Sequence, residues 1–260
     1  MTPTWEFTGA EFDALWTGID EEYMPDPFIH SSAPGDAEEA EFARRDTWAR
    51  IKQRWGHELD EIIDVLVRPD IRVAVRGYGG GQKLTDPAYS VRLLAVRKGE
   101  VGYLVRQLPG ETLYDASGFV ITRHGALTLG DVIADHLPVA EAGRGQEIRL
   151  DEPDDDQFDR SYGRSLVQHY DDDAAVQTKT FQQASLDRDG FIDVEQGWSR
   201  FGPRGIVRLR LGWRDLTDDG RYVIVPGTPP VAVGADRRRV VSLINSQIAE
   251  VVRAIRDDRA

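Results

Sequence analysis

The glycine-rich stretch GYGGGQK, residues 77–83, is the first place where this sequence could carry out phosphate chemistry. A Walker loop places Gly-Lys-Ser/Thr directly before a helix, whose first amides hold the phosphate. Here Gln82 precedes Lys83, Leu84 follows it, and both flanking segments alternate as strands do. The dinucleotide pattern G-x-G-x-x-G also fails, because Gln82 occupies its last position. We therefore interpret this stretch as a mobile connection between two hairpin strands.

Residues 185–196, SLDRDGFIDVEQ, could bind calcium, since Asp187, Asp189 and Gly190 have the spacing of a calcium loop. The first position of such a loop is an aspartate, and the twelfth is a glutamate that binds with both oxygens. Ser185 and Gln196 stand at these two positions. Because both charged ligands are missing, we predict a turn that enters a strand and no metal site.

Catalytic groups give no recognisable pattern. The sequence has no cysteine, which excludes thiol nucleophiles, disulfides and cysteine zinc sites. The five histidines show no H-E-x-x-H spacing, and the closest G-x-S-x-G candidate, GRSLV at 163–167, lacks its second glycine. The acidic runs at 151–156 and 171–173 are interpreted as solvated loops. One enzymatic alternative stays open: a site assembled in space from scattered residues such as His124, Asp215 and Arg221.

The composition is that of a globular protein with an acidic surface. The 260 residues are 40% hydrophobic and carry a net charge of −13. This charge argues against nucleic acid as a general partner, because phosphate binding needs a basic surface. No run of 18 apolar residues occurs, and the N-terminus lacks the features of a signal peptide. We expect a cytoplasmic protein that does not insert into membranes and needs no cofactor.

The first half of the sequence contains a helical region followed by four strands. A short strand at 5–7 leads into a helix with Phe12, Leu15, Trp16 and Ile19 on one face. A longer helical region begins near residue 37, with a predicted interruption at 56–57, and Pro69 ends it. Predicted strands follow at 71–76, 89–97, 101–107 and 119–121, then a short helix at 129–137 that Thr128 can cap. The connections are too short for helical crossovers, so the pairing must be antiparallel.

The second half repeats this order. Residues 140–156 are rich in Gly, Asp and Glu and are predicted to join the halves. A helix stripe at Phe158, Tyr162, Leu166 and Tyr170 runs into the acidic 171–173. Strands are predicted at 190–198 and 231–233, with a hairpin at 202–225 between them. An amphipathic helix with Asp236 as its N-cap ends the chain.

The hairpin, GPRGIVRLRLGWRDLTDDGRYVIV, has the clearest pattern. Its first strand alternates apolar residues with arginines, and Asp219-Gly220 supplies the turn. The order of helix, four strands and helix therefore occurs twice, near 37–137 and near 157–256. We predict a single α+β domain over 1–260 with a central antiparallel sheet and flanking helical bundles. Its halves, about 1–139 and 150–260, would be related by a quasi-two-fold arrangement.

The hairpin resembles the signature region of the EspG family, the ESX secretion-associated proteins of actinobacteria. The resemblance rests on Trp213, Asp215, Gly220, Arg221 and Tyr222. Three further segments agree with that family's layout: the opening WEFTGAEFDALW, the helix ending in LVRP before the strand at 71–76, and the final amphipathic helix after the Pro-Pro pair at 229–230.

The resemblance implies a non-catalytic cytosolic chaperone of type VII (ESX) secretion. Such a chaperone binds PE–PPE heterodimers, or equivalent WxG-type helical substrates, and keeps them soluble before export. The resemblance also implies that the loop between the second and third strands and the C-terminal helical region hold the client. That loop falls here on Gly79, Gly80, Gly81, Gln82, Lys83, Leu84, Thr85 and Asp86. A structural homo-oligomer is the remaining alternative, and a homodimer is left open in either case.

Overall fold

The computed structural model describes residues 2–19, 24–30, 37–150 and 168–259. Within them the chain forms one ten-stranded sheet with helices on both faces. The strands are β1 Thr4–Thr8, β2 Ile71–Gly79, β3 Val91–Lys98, β4 Val101–Pro109, β5 Ala116–Gly125, β6 Ile148–Arg149, β7 Leu186–Gln196, β8 Arg208–Leu216, β9 Gly220–Val225 and β10 Val231–Gly234. The helices are α1 Gly9–Thr17, α2 Ala37–Val67, α3 Leu129–His136, α4 Gln168–Gln183 and α5 Arg237–Arg259.

The sheet is antiparallel throughout its strand pairs, and its order is β1-β5-β4-β3-β2-β7-β8-β9-β10-β6. Strands β2 to β5 form one meander and β7 to β10 form the other. The two meanders meet where β2 pairs with β7, with Val75 opposite Ile192. β1 then extends the first meander beside β5, and β6 extends the second beside β10. The α+β class and the central antiparallel sheet are thus confirmed.

The two halves of the chain contribute the same sequence of elements to this sheet. In each half an edge strand precedes a four-stranded meander, and a closing helix follows it. Two helices, α1 and α2, lie between edge strand and meander in the first half; α4 lies there in the second, where residues 151–167 are outside the described part of the chain. The predicted doubling therefore appears in the strand order. A quasi-two-fold relation in space between the halves stays a prediction.

One face of the sheet is covered by α3 and α5. Their apolar side chains pack with those of the central strands in the larger core, which includes Val75 of β2, Ile192 of β7 and Trp213 of β8. Asp236 caps α5 as predicted, because the Arg239 amide donates to its Oδ1 at 2.8 Å. The helix α3 differs in this respect, since the Thr128 hydroxyl donates to the Gly125 carbonyl and does not cap.

The opposite face is covered only in part. α1 and α2 pack over β1, β5, β4 and β3, where Phe12 of α1 stacks on Phe119 of β5 at 4.0 Å between ring centroids. α4 packs on the same face near the opposite edge of the sheet, where Phe181 contacts Tyr222 of β9. Between these two helical layers lie β7, β8 and the uncovered part of β2, whose Ala74 is buried in the core shared with α1 and α2. We call their surface on this side the open face.

The break predicted at 56–57 in the long helix is present, because Gly56 has φ 54° and ψ −131° inside α2. The left-handed φ suits glycine, which has no Cβ to clash. In the part of the chain that the structure describes, no helix is both long and apolar enough to cross a membrane.

Two sequence predictions for the second half are wrong. The acidic run 171–173, interpreted as a solvated loop, lies within α4, which continues to Gln183; aspartate is only a moderately poor helix former. The other acidic run, 151–156, lies outside the described residues. The earlier part of the predicted helix stripe, at 158, 162 and 166, lies outside the described residues. The junction at 140–156 stays a prediction; within it Ile148–Arg149 forms the edge strand β6, which pairs with β10. The predicted strand at 190–198 begins earlier, at Leu186.

Candidate functional site

The loop of residues 79–86 connects β2 to β3 at one end of the sheet, as predicted. It contains a 3-10 turn, Gly81–Lys83, in which Gly81 has φ +55°, a conformation that favours glycine. Asp86 accepts a hydrogen bond from the Ala88 amide at 2.9 Å and starts a second turn. Because the loop runs from strand to strand, it offers no helix N-terminus to a phosphate.

The start of β7 anchors this loop. The Gly80 amide donates to the Asp187 carbonyl at 3.0 Å, and the Lys83 ammonium lies 3.2 Å from the Asp187 carboxylate. A Cβ on Gly80 would lie 2.0 Å from the Leu186 carbonyl oxygen, so only glycine allows this approach. The backbone of the loop is therefore held close to the sheet.

The residues predicted to contact a partner are not equally accessible. Gly79 and Gly80 are buried, whereas Gln82, Leu84 and the two residues after it are exposed. Leu84 is the apolar member of this set, with 55% of its surface exposed. A contact through this loop would therefore be centred on Leu84.

The open face continues from this loop, because β2 leads directly into it. The strands of the open face carry arginines and carboxylates at the positions that alternate with core residues. Residues that pair across β2, β7 and β8 form three rows on this face. The first row is Arg72, Glu195 and Arg208; the second is Ala74, Asp193 and Arg210; the third is Arg76, Phe191 and Gly212. Period-two alternation places all of them on the side away from Val75 and Ile192.

Asp193 is the centre of this charged surface. Its side chain is 9% exposed and accepts two hydrogen bonds from Arg210, at 2.5 Å from Nε and 3.0 Å from a terminal nitrogen. Arg76 lies 3.5 Å away and also contacts Asp26. The hydrogen bond with Asp193 raises the pKa of Arg210 above its ordinary value. Arg210 therefore stays charged, and its two hydrogen bonds to Asp193 fix its side chain on the surface.

Phe191 is the apolar element of the open face. It is 44% exposed, and the Arg210 guanidinium lies 4.9 Å from its ring centroid. Its neighbour on β8 is Gly212, which adds no side chain beside the ring. An exposed aromatic ring flanked by arginines is the composition typical of energetically important interface residues.

One wall of the open face is fixed by Arg214. This residue donates to the carbonyls of Phe181 and Gln182 at 2.8 and 3.2 Å, near the end of α4. Arginine there satisfies carbonyls that have no partner inside the helix. Burial lowers the pKa of Arg214 and raises the pKa of Asp189, its nearest carboxylate. Their arrangement holds α4 against the sheet.

Of the three residues suggested for a scattered catalytic site, Asp215 and Arg221 come together, but His124 lies far from them. Asp215 and Arg221 form a buried pair, with Nε to Oδ1 at 2.7 Å and a second bond at 2.8 Å. Arg221 also donates to the Pro138 carbonyl at 2.7 Å, and its guanidinium lies 5.2 Å from the Trp213 ring. His124 lies on β5 and contacts Thr122; β4, β3, β2 and β7 separate β5 from β8. The Asp215–Arg221 pair is buried and stabilises the core.

The calcium-like segment is also part of the sheet. Residues 186–196 form β7, which pairs with strands on both sides, so the carboxylates cannot wrap around one ion. The turn predicted there is wrong, since the strand already includes Asp187 and Asp189. Among the described residues no group of three or more potential metal ligands is found.

Sequence reasoning missed Phe191 and Asp193, because both lie in the segment compared with a calcium loop. The signal was present: Ile192 and Val194 alternate with Phe191, Asp193 and Glu195, as in a strand with one buried face. That alternation alone would have predicted that Phe191, Asp193 and Glu195 point away from the core. Their pairing with β2 could not be read, since it depends on strand order.

These features define an α+β protein with one continuous antiparallel sheet and a candidate site that is an open surface. The chain belongs to the EspG family, whose model matches residues 8–246. Its fold is similar to that of the Mycobacterium tuberculosis type VII secretion system chaperone EspG5, solved in complex with a PE25–PPE41 dimer. That similarity has a TM-score of 0.57 and 10% sequence identity, and covers 94% of this chain and 95% of that chain. No curated protein matches the sequence.

Proposed function

We propose that this protein is a chaperone of type VII secretion that binds the helical end of a PE–PPE heterodimer, or of an equivalent WxG-type substrate, before export. Membership of the EspG family over residues 8–246 carries this proposal. The solved EspG5 structure, which contains a PE25–PPE41 dimer, supports the same class of client. The protein acts in the cytoplasm and without catalysis, since holding a client requires no reacting group.

The client docks on the open face and on the loop of residues 79–86. Three strands spaced about 4.8 Å apart give a surface roughly 14 Å wide, and a helix with its side chains is about 10–12 Å in diameter. Phe191 and Leu84 supply apolar contacts, and Arg210 supplies a fixed charge. An interface of standard size would bury about 800 Å² on this chain.

The test is co-expression of this protein with each PE–PPE pair encoded in its host, followed by affinity purification and calorimetry. We expect one pair to co-purify in a stable complex. Phe191→Asp should abolish that complex, while Phe42→Asp should preserve it. Phe42 is a matched control, because it is 74% exposed on α2 and lies outside the open face.

Two results would contradict the proposal. One is that neither the PE–PPE pairs nor the WxG-type substrates of the host form a complex with the wild-type protein. The other is that a complex forms and survives both Phe191→Asp and deletion of residues 81–84, which would place the client elsewhere.

A further inference from the structure

Arg92, on β3, is a buried cation without a carboxylate partner. It is 6% exposed, and its side chain forms no ion pair or hydrogen bond with any residue that the structure describes. Burial of its charge lowers the pKa of Arg92 below the ordinary value. A buried charge costs free energy unless an opposite charge offsets the lost hydration. In a chain of net charge −13 this lack of a carboxylate is unexpected and points to a ligand.

Arg92 continues the third row of the open face. It pairs with Arg76 across β2 and β3, and Arg76 pairs with Phe191 across β2 and β7. Arg76 contacts two carboxylates, Asp26 and Asp193, whereas Arg92 one strand further contacts none that the structure describes. Two strand spacings separate Phe191 from Arg92, which is roughly 10 Å. A protein bound over Phe191 is therefore within reach of Arg92.

A narrow cleft leads to the Arg92 side chain. One wall is the turn after the loop of residues 79–86, with Pro87 and Ser90, and the other is the connection between β4 and β5, with Thr112 and Asp115. The volume of the cleft is about 10 Å³, which is the space of one water-sized atom. No nitrogen of the Arg92 guanidinium is sealed from solvent. The charge can therefore be reached from outside, although the residue is almost fully buried.

The other polar groups of the cleft are fixed by bonds among themselves. The Gln107 side chain accepts a hydrogen bond from the Ile29 amide at 3.0 Å and donates to the Ile29 carbonyl at 2.8 Å. It also donates to the Asp115 carbonyl at 3.3 Å. The Asp115 carboxylate accepts from the Thr112 hydroxyl at 2.7 Å. These bonds hold the walls in place and leave Arg92 as the cation of the cleft.

The size and charge of the cleft favour a carboxylate over a phosphate. A guanidinium forms strong, charge-assisted hydrogen bonds with either group. The cleft has room for one oxygen atom, with the rest of a small planar group at its mouth. The Asp115 carboxylate lines the same cleft and repels a second negative charge, so a monoanion is preferred to a dianion.

We propose that the Arg92 cleft binds one carboxylate group. The carboxylate accepts hydrogen bonds from the Arg92 guanidinium and balances its buried charge. Two sources have this chemistry: an acidic side chain of a client on the open face, and a small free carboxylate. Only the assignment to the client rests on the proposed function; the site itself does not.

The first experiment uses the full chain and sodium formate, the smallest carboxylate, as the probe. Thermal unfolding is compared in sodium formate and in sodium chloride at equal concentration and neutral pH. With a dissociation constant of about 10 mM, about 0.1 M formate should raise the melting temperature by about 3 °C, because it binds only the folded chain. Arg92→Met keeps the unbranched stem without the charge and should melt equally in the two salts.

The matched control is Arg106→Met, which removes the same charge from the neighbouring strand β4. Arg106 is partly buried and pairs with Leu93 of the larger core, so it lies on the opposite face of the sheet. This variant should keep the formate shift of the wild type. In sodium chloride Arg92→Met should melt no lower than the wild type, because it no longer buries an unpaired charge.

A second experiment distinguishes the two sources of the carboxylate. If the client supplies it, Arg92→Met should weaken the client complex about tenfold in calorimetry, and Arg106→Met should not. If the complex is unaffected while the formate shift depends on Arg92, the site takes a free carboxylate. Absence of any complex with the wild type would contradict the proposed function and leave the formate result unchanged.

Four results would overturn the carboxylate site. The first two are equal melting of the wild type in formate and chloride, and a formate shift that persists in Arg92→Met. The third is a melting temperature of Arg92→Met in chloride well below those of the wild type and Arg106→Met, which would show that Arg92 has a structural partner. The fourth is a larger Arg92-dependent shift in sodium phosphate than in formate, which would make the cleft a phosphate site.

Discussion

Strand β8 takes part in two aspartate–arginine pairs that face opposite sides of the sheet. Asp215 and Arg221 are sealed in the core, with side chains 8% and 6% exposed. Arg210 and Asp193 share a similar pair of hydrogen bonds, but Arg210 is 57% exposed. The same chemistry therefore serves two purposes. The buried pair ties the hairpin to the Pro138 carbonyl just after α3, whereas the outer pair presents an oriented cation to solvent.

The largest expected effect comes from breaking the sealed pair. Asp215→Ala leaves the Arg221 charge buried without its carboxylate, and we expect a loss of about 3–5 kcal/mol in the free energy of unfolding. Urea denaturation followed by circular dichroism measures this loss. Arg210→Ala is the comparison within the same strand and should cost less, about 1–2 kcal/mol, because Arg76 stays 3.5 Å from the nearly buried Asp193 carboxylate. Equal losses would show that the outer pair is also structural.

The second largest effect is expected on client binding when the Phe191 ring, which Arg210 contacts, is removed. Phe191→Ala should weaken client binding about 30-fold, or about 2 kcal/mol, as expected for an aromatic residue at the centre of an interface. Calorimetry with the PE–PPE pair measures it, and Phe42→Ala serves as the control. An unchanged affinity would remove the open face from the interface.

Arg210→Ala should have a smaller effect on the same measurement. We expect about a tenfold loss of affinity, since a fixed charge is lost at the edge of the apolar contact. The loss should shrink as salt is added, because part of it is electrostatic. A loss independent of salt would mean that Arg210 contributes packing against Phe191 and not its charge.

The smallest effect is expected in the loop. Leu84→Asp should weaken client binding about fivefold, or roughly 1 kcal/mol, and change stability by less than about 0.5 kcal/mol. Thr85→Asp adds the same negative charge at the neighbouring exposed residue, so it is the control for the effect of charge alone. If both substitutions weaken binding equally, charge and not the leucine side chain is responsible.

Local elements could be predicted well from the sequence, because their signals lie within a few residues. The alternation around Trp213 gave the hairpin, Gly56 gave the helix break, and Asp236 gave the α5 cap. The start of β7 was not predicted, because Asp187 and Asp189 have the spacing of a calcium loop. Such competition between patterns cannot be resolved without knowing that β2 and β8 lie on either side.

The candidate site could be predicted only in part. The loop was located through the family resemblance, but the open face depends on which strands end up adjacent. Arg76, Asp193 and Arg210 come from three strands, and the first is far from the others in sequence. Pairing between strands so far apart in the chain produces no periodic pattern in the sequence.

The pairing of β2 with β7 has a consequence for folding. Each meander consists of neighbouring strands, whereas Val75 and Ile192 meet across about 120 residues of intervening chain, so loop-closure entropy opposes this step most strongly. Every row of the open face includes a residue pair between β2 and β7. A chain with only one meander formed therefore has no complete binding surface, and competence to bind a client marks the end of folding.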